Sequence, residues 1–281
     1  MSVPVVPPFV SADRLATASP PPVLVDLRWS LDGSLGRDDY LARHLPGAVY
    51  LDLDTVAAGA PTPAGGRHPL PDPELFATRL GELGIAADDP VVAYDQGPGF
   101  IAARLVWMLR AIDQPAAVLE GGLAGWPGPV DTGEVTRPPV VRAVRDWPID
   151  RLADADLTAS IAARDDGVVL DAREPARFAG ETEPVDPRPG HIPGAVNLPV
   201  TDNLDAAGRL EARDVLAQRY GSVGALEAGE VIAYCGSGVA ACHDLLVLEE
   251  LGVHGRLFAG SWSAWSADPQ REAEDIPPPA P

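Results

Sequence analysis

Short, wholly apolar runs alternate with longer helical segments along this chain. Val91–Tyr94 and Val231–Tyr234 are runs without polar alternation, the pattern of strands buried on both faces. Each is followed by a Gly-rich turn and then by an apolar segment of helical length, Ile101–Ala111 in the first case and Ala240–Leu251 in the second. Strands alternating with helices predict an α/β fold, in which helices cover both faces of a parallel sheet.

The alternation repeats. Val23-Leu24-Val25-Asp26-Leu27-Arg28 returns as Val168-Val169-Leu170-Asp171-Ala172-Arg173, and His44-Leu45-Pro46-Gly47-Ala48-Val49 as His191-Ile192-Pro193-Gly194-Ala195-Val196. Val91-Val92-Ala93-Tyr94-Asp95 returns as Val231-Ile232-Ala233-Tyr234-Cys235, and Gly121-Gly122-Leu123-Ala124-Gly125-Trp126 is echoed by Gly260-Ser261-Trp262-Ser263-Ala264-Trp265. Four matches in one order, about 140 residues apart, mark a duplicated domain rather than a solenoid. The expected organisation is one domain over 8–130, a Pro-rich linker over 131–149 and a second domain over 150–276, with a loose Pro-rich tail at Ile276–Pro281.

Composition narrows the function. The 281 residues carry a net charge of −20, which argues against nucleic acid and anionic membranes as partners. There is no lysine, so all 21 basic residues are arginine, and Schiff-base chemistry and a P-loop lysine are excluded. Two cysteines make neither a disulfide framework nor a zinc spacing, and no metal is expected. The start, MSVPVVPPFV, lacks a basic region followed by an apolar one, and no apolar run approaches the ~18 residues of a membrane span, so a cytoplasmic protein is expected.

Chemistry enters where the copies differ. The central run ends in Asp95 in the first copy and in Cys235 in the second. Sites in open α/β sheets lie beyond the carboxyl ends of strands, and a cysteine there, before Gly236-Ser237-Gly238, meets loop N–H groups and a helix N-terminus that favour the thiolate. Cys242 falls within the apolar helix and reads as packing. A cysteine-phosphatase loop would need an arginine where Ala241 stands, and neither Gly-rich loop matches a dinucleotide fingerprint. His44, His191, Asp26 and Asp171 occur in both copies and read as structural; Trp126, Trp262 and Trp265 read as packing.

Paired domains with Asp-x-Arg, His-Ile-Pro-Gly-Ala and Tyr234-Cys235-Gly236-Ser237-Gly238-Val239 resemble the tandem rhodanese-type sulfurtransferases over nearly the whole chain. The resemblance implies two rhodanese-like domains, each a small parallel sheet flanked by helices, with an inactive first copy and a Cys235 persulfide in the second. The loop Cys235-Gly236-Ser237-Gly238-Val239-Ala240 is similar to that of the 3-mercaptopyruvate branch, with Ala240 in place of its threonine, and unlike the cationic loop of the thiosulfate branch. Arg177 matches the arginine that holds the substrate carboxylate. The second substrate arginine of the family falls on Val185, and Arg188, three residues on, is the expected replacement. Gly236, Gly238, Val239 and Ala240 of the loop are expected to bind the substrate, and Asp54 and His68 resemble the pair that completes a proton relay with Ser237.

The expected reaction moves sulfur from 3-mercaptopyruvate, a small anionic donor, to a thiol such as thioredoxin or a small thiol, or to cyanide, without a cofactor. Two alternatives stay open: thiosulfate:cyanide transfer on the same cysteine, and a non-catalytic module that carries sulfur to, or binds, a partner protein.

Overall fold

The computed structural model describes residues 6–275; the tail expected at 276–281 and the first five residues lie outside the described residues. The chain divides into two compact units that interleave along the sequence. The first comprises the residues up to Gly59, Leu70–Pro148 and Asp205–Leu210; the second comprises Ala60–Pro69, Ile149–Leu204 and the residues from Glu211 onward.

The first unit contains strands β1 (Phe9–Val10), β2 (Val23–Asp26), β3 (Val49–Tyr50), β4 (Val91–Tyr94) and β5 (Ala116–Leu119), all parallel, in the order β1-β5-β4-β2-β3. The second contains β6 (Leu152–Ala153), β7 (Gly167–Asp171), β8 (Val196–Asn197), β9 (Glu230–Tyr234) and β10 (Arg256–Phe258), again all parallel, in the order β6-β10-β9-β7-β8. The two apolar runs of the sequence are thus the central strands, β4 and β9. Every side chain from Val91 to Tyr94 and from Val231 to Tyr234 is buried, which is why neither run alternates. The helices that follow span Ala102–Ala111 and Ala241–Leu251, each beginning one residue after the expected start.

The motifs shared by both copies serve the fold. Tyr94 and Tyr234, at the ends of the central strands, accept hydrogen bonds from the N–H groups of Leu45 and Ile192 at 3.0 and 3.2 Å. Each tyrosine thereby ties one His-x-Pro-Gly turn to its sheet. His44 Nδ1 meets the Tyr40 carbonyl and His191 Nδ1 the Phe178 carbonyl, both at 2.8 Å, and both histidines are buried. Asp26 holds Arg28 and Asp171 holds Arg173 through forked hydrogen bonds within the same turn. Trp262 and Trp265 sit in the core of the second unit, and Trp126 packs against that of the first.

The segment expected as a linker forms neither helix nor strand over residues 132–148, yet it is stitched to the first unit. Val140 N–H donates to Gly81 O, Arg137 Nε to Gly84 O, and Arg142 reaches the carbonyls of Ile85 and Ala86 and the side chain of Gln114. Proline removes the donors a sheet would need, so arginine side chains make the attachment instead.

Within the second unit the helix Ala241–Leu251 buries a polar cluster. Asp244 Oδ1 accepts from Asn203 Nδ2 at 2.7 Å and from Tyr220 Oη at 3.1 Å, while Asp244 Oδ2 is buried without a hydrogen bond. Burial raises the Asp244 carboxyl to about 7, and repulsion from Asp171 and Asp202 adds to it against the two hydrogen bonds. Burial lowers the neighbouring His243 to about 3. An acid raised on folding contributes stability below its unfolded value of 3.8 that is lost as pH rises toward 7. Asp244→Asn is therefore expected to stabilise the protein against urea by at least ~1 kcal/mol more at pH 8 than at pH 5. Equal effects at the two pH values would show that Asp244 does not titrate in the fold.

Candidate active site

Both central strands end in the same backbone construction. Beyond β4, Leu123 N–H and Ala124 N–H donate to the carbonyls of Asp95 and Gln96 at 2.9 and 3.1 Å; beyond β9, Trp262 N–H and Ser263 N–H donate to those of Cys235 and Gly236 at 3.0 and 2.9 Å. The returning turn needs a left-handed residue, supplied by Gly122 and by Ser261, each at φ +52°. Left-handed backbone costs a non-glycine residue roughly 1–2 kcal/mol. Ser261 offsets that cost with its hydroxyl, which accepts from Cys235 N–H at 3.2 Å and donates to Phe258 O at 3.0 Å. Ser261 thus pins the backbone of Cys235. Sequence reasoning assigned it no role, although the exchange of Gly122 for Ser261 between copies was the available signal.

The two loops differ in what their amides hold. In the first unit the buried Asp95 carboxylate accepts from Gly97 and Gly99 N–H on Oδ1, at 2.9 and 3.0 Å, and from Ile101 and Ala102 N–H on Oδ2, at 2.9 and 3.3 Å. The side chain fills its own amide cradle. In the second unit Gly238 N–H donates to Cys235 Sγ at 3.2 Å. Gly238 lies at φ +78°, where a Cβ would press on the backbone of Ala259, so only glycine fits. Val239 and Ala240 complete the loop, and the Cys242 thiol donates to Gly238 O at 3.3 Å from within the helix, as packing predicts.

The segment Ala60–Pro69 supplies the remaining groups of this loop. Thr62 and Gly66 close it into a tight bridge, and Arg67 N–H donates to Ser263 Oγ at 3.1 Å. His68 is then held with Nδ1 2.8 Å from Ser237 Oγ, both residues being buried. Cys235, Ser237 and His68 are brought together in one unit. Asp54 belongs to the other unit, in the turn Leu53–Ala57, where its Oδ2 accepts from Trp29 Nε1 at 3.0 Å.

A chain of alternating charges runs from β7 to the Cys235 loop. Asp171 holds Arg173, which also stacks 4.7 Å over the ring of Trp262; Arg173 meets Glu183; Glu183 takes Arg177 at 2.7 Å; Arg177 meets Asp186 at 3.2 Å; and Asp186 pairs with Arg67. Burial works to raise the Glu183 carboxyl, but the N–H groups of Asp186 and Val185 and the Arg177 guanidinium outweigh it and bring Glu183 below the usual range. Burial prevails at Asp186, which is raised despite its two arginines. At the far end, a methyl group placed on Gly236 would meet Arg67 Nη2 at 3.1 Å and Arg177 Nη1 at 3.4 Å. Arg177 therefore stands beside the loop that carries Cys235. Arg67, Glu183 and Asp186 belong to the same series, and sequence reasoning gave them no role; Arg67 directly precedes His68.

Arg188 corrects the expectation for the second substrate arginine. Its guanidinium donates to the carbonyls of Ser266, Trp265, Asp268 and Arg271 at 2.8–3.0 Å, closing the C-terminal end of the helix Ser261–Ala267. Carbonyls at and just beyond a helix end attract a cation, and these four engage the Arg188 guanidinium. Val185 is exposed and offers no charge.

The geometry agrees with comparisons to known proteins. The model of the rhodanese-like domain matches residues 11–128 and 154–268. The chain belongs to the rhodanese-like family. It is 40% identical, over 94% of its length and 96% of the relative's, to a Pseudomonas aeruginosa protein provisionally named a 3-mercaptopyruvate sulfurtransferase. It is 38% identical, over 94% and 95% of the two chains, to a Mycobacterium tuberculosis protein provisionally named the thiosulfate sulfurtransferase SseB. The crystal structure of SseA from Escherichia coli, a 3-mercaptopyruvate sulfurtransferase, superposes with a TM-score of 0.78 at 33% identity, covering 92% of this rhodanese-like chain and 100% of SseA. Among the described residues, no helix is long and apolar enough to cross a membrane.

The correction at Arg188 has a measurable consequence. Arg188→Ala removes the guanidinium donors from four carbonyls, of which Trp265 O and Asp268 O keep a backbone N–H, and is expected to cost about 2–4 kcal/mol of stability. The KM for the sulfur donor stays within about twofold of the parent, because no binding contact is lost. A large rise in KM at unchanged thermal stability would restore Arg188 to the binding site.

Proposed function

We propose that this chain is a sulfurtransferase that takes the sulfur of 3-mercaptopyruvate onto Cys235 and passes it to a thiol or to cyanide. The observation that carries this reading is the Cys235 loop, in which an N–H group is aimed at Sγ and two guanidinium groups stand over Gly236. In the first step the Cys235 thiolate attacks the donor sulfur. The S–S bond forms as the C–S bond breaks, the electron pair passes into the enolate of pyruvate, and a proton delivered to carbon completes the product. Loop amides from Gly236 to Ala240 stabilise the negative charge on sulfur. Arg177 holds the donor carboxylate through a charge-assisted contact. His68, 2.8 Å from Ser237 Oγ, moves the proton through that hydroxyl. An incoming thiol, from a protein such as thioredoxin or a small molecule, then attacks the outer sulfur and regenerates Cys235. The first unit, whose cradle Asp95 already occupies, takes no part in the chemistry.

Thiosulfate is the second reading of the donor, favoured by the name of the Mycobacterium tuberculosis relative. Steady-state comparison separates the two, since specificity is a ratio of kcat/KM values. The loop lacks its own cation, so kcat/KM for 3-mercaptopyruvate is expected to exceed that for thiosulfate by at least ~100-fold, about 3 kcal/mol of transition-state preference. Mass spectrometry after addition of 3-mercaptopyruvate is expected to show a gain of one sulfur, ~32 Da, absent in Cys235→Ser. Turnover by that variant, or none by the parent with either donor, would sink the proposal.

A further inference from the structure

We propose that Asp244 is a proton-operated latch: as a neutral acid it fastens the loop of residues 204–210 at its base, and on ionising it lets that loop open.

The loop is pinched where it begins and ends. Glu211 N–H donates to Asn203 O at 2.9 Å, and within the loop Asp205 closes a turn of its own, accepting from the N–H groups of Ala207 and Arg209. Residues 205–210 group with the first unit, so the chain leaves the second after Leu204 and rejoins it at Glu211. The Asn203 side chain is buried together with Tyr220, His243 and Asp244. Its amide ties the short helix Val200–Asn203 to His243 and Asp244 of the helix Ala241–Leu251 and to Tyr220 of the helix Arg213–Ser222. What holds this amide holds the base of the loop.

Four contacts link these groups, and four protons are needed to make them. Asn203 Nδ2 lies 3.3 Å from His243 Nδ1 and 2.7 Å from Asp244 Oδ1, and Tyr220 Oη lies 3.1 Å from both Asn203 Oδ1 and Asp244 Oδ1. The amide supplies two protons and the phenol one. An un-ionised Asp244 supplies the fourth, donating to Tyr220 Oη while Tyr220 donates to Asn203 Oδ1. Exchanging the amide oxygen and nitrogen does not remove the need. The amide oxygen would then stand 2.7 Å from Asp244 Oδ1, the separation of an O–H···O bond and not of two bare oxygens. An ionised Asp244 leaves one contact unmade in either orientation.

No neighbouring charge compensates for the lost proton. The helix Ala241–Leu251 packs against the helices Val200–Asn203 and Arg213–Ser222 and against β9 and β10. Asp202 of the short helix and Asp171 at the end of β7 both oppose ionisation of Asp244. Burial holds His243 neutral and, with the charge of Asp244, keeps the Tyr220 phenol protonated. The other titratable groups on these elements are engaged or outlying: Glu230 of β9 meets Arg256 of β10 at 3.6 Å, the Tyr234 hydroxyl meets Ile192 N–H, Arg219 acts on Tyr220, and Arg213 and Asp214 are exposed. The negative charge would also spread to Asp244 Oδ2, which is buried without a hydrogen bond. Drawing Asn203 out admits water to the carboxylate and restores its ordinary acidity. Between 3.8 and about 7 the closed form therefore binds a proton that the open form does not. Each pH unit in that window makes opening about tenfold easier, and the gain ends above it.

Hydrogen exchange read by mass tests the latch in the full chain. With intrinsic rates divided out, protection of residues 203–211 in the parent is expected to fall at least ~tenfold between pH 5 and pH 8. It stays level in Asp244→Asn, whose amide keeps a donor toward Tyr220 without a group that ionises. Strand β9 stays protected in both proteins at both pH values. In Asn203→Ala, which cuts the tie, residues 203–211 lose protection already at pH 5. As a direct measure of the proton, the parent at pH 5 shows an infrared band of an un-ionised carboxylic acid that Asp244→Asn lacks. Level protection in the parent, or no such band, would overturn the proposal. Loss of protection in residues 203–211 and β9 together would overturn it too, by making the proton a matter of global stability.

Discussion

The site depends on the alternating series Asp171, Arg173, Glu183, Arg177, Asp186 and Arg67. Its first member ends a strand of the sheet and its last stands over the loop of the nucleophile. Glu183 and Asp186 each lie between two arginines, Arg173 and Arg177 each between two carboxylates, and Asp171 is paired with Arg173, so no member is buried as an isolated charge, the arrangement that would be most costly. The series converts the rigidity of a parallel sheet into fixed positions for two long, flexible side chains. Arginine loses up to about 2 kcal/mol of rotamer freedom when immobilised, and here that cost is met in the folded protein before any donor arrives.

The first unit shows what the same fold does without this series. Asp26 and Arg28 reproduce Asp171 and Arg173, but Arg28 continues to the Gln96 side chain and to the carbonyl of Arg43 instead of to a second carboxylate. The charge relay from Asp26 stops after one pair. At the strand end, Asp95 closes the amide cradle with its own carboxylate. Burial raises this carboxyl while four N–H groups act to lower it, the electrostatics of an anion site whose occupant is built in. A carboxylate can neither attack sulfur nor leave room for an anionic sulfur. Cys235 has one polarizable atom where Asp95 has two oxygens, and the second loop presents Gly238 N–H to it.

Much of this was legible in the sequence because duplication acts as an internal comparison. Motifs kept in both copies, such as His44 with His191 and Tyr94 with Tyr234, proved to bind the turns to the sheets. The position that differed, Asp95 against Cys235, marked the chemistry. What could not be read was determined by side-chain direction across long separations. Nothing in Glu183-Pro184-Val185-Asp186 discloses that Asp186 faces Arg67, which is 119 residues away. The choice of Arg188 followed from proximity to Val185 in sequence, whereas four carbonyls at a helix end hold it elsewhere. The linear reading also placed residues 60–69 with the first domain, although they pack with the second unit.

The absence of lysine acquires a physical meaning at the site. A lysine ammonium is a single compact charge, and it cannot engage a buried carboxylate on one edge while presenting oriented donors on another. Arg177 does both, with Nε and Nη2 on Glu183 and Asp186 and Nη1 toward Gly236. The net charge of −20 would repel an anionic donor at long range, but salt screens that field within ~10 Å. On the proposed reading attraction is needed only at the loop, where two guanidinium groups stand beside Gly236 and Gly238 N–H meets Cys235 Sγ. An acidic surface and an anion-binding centre are compatible because they operate on different length scales, and the planar fork of arginine is what lets one residue serve both the scaffold and the ligand.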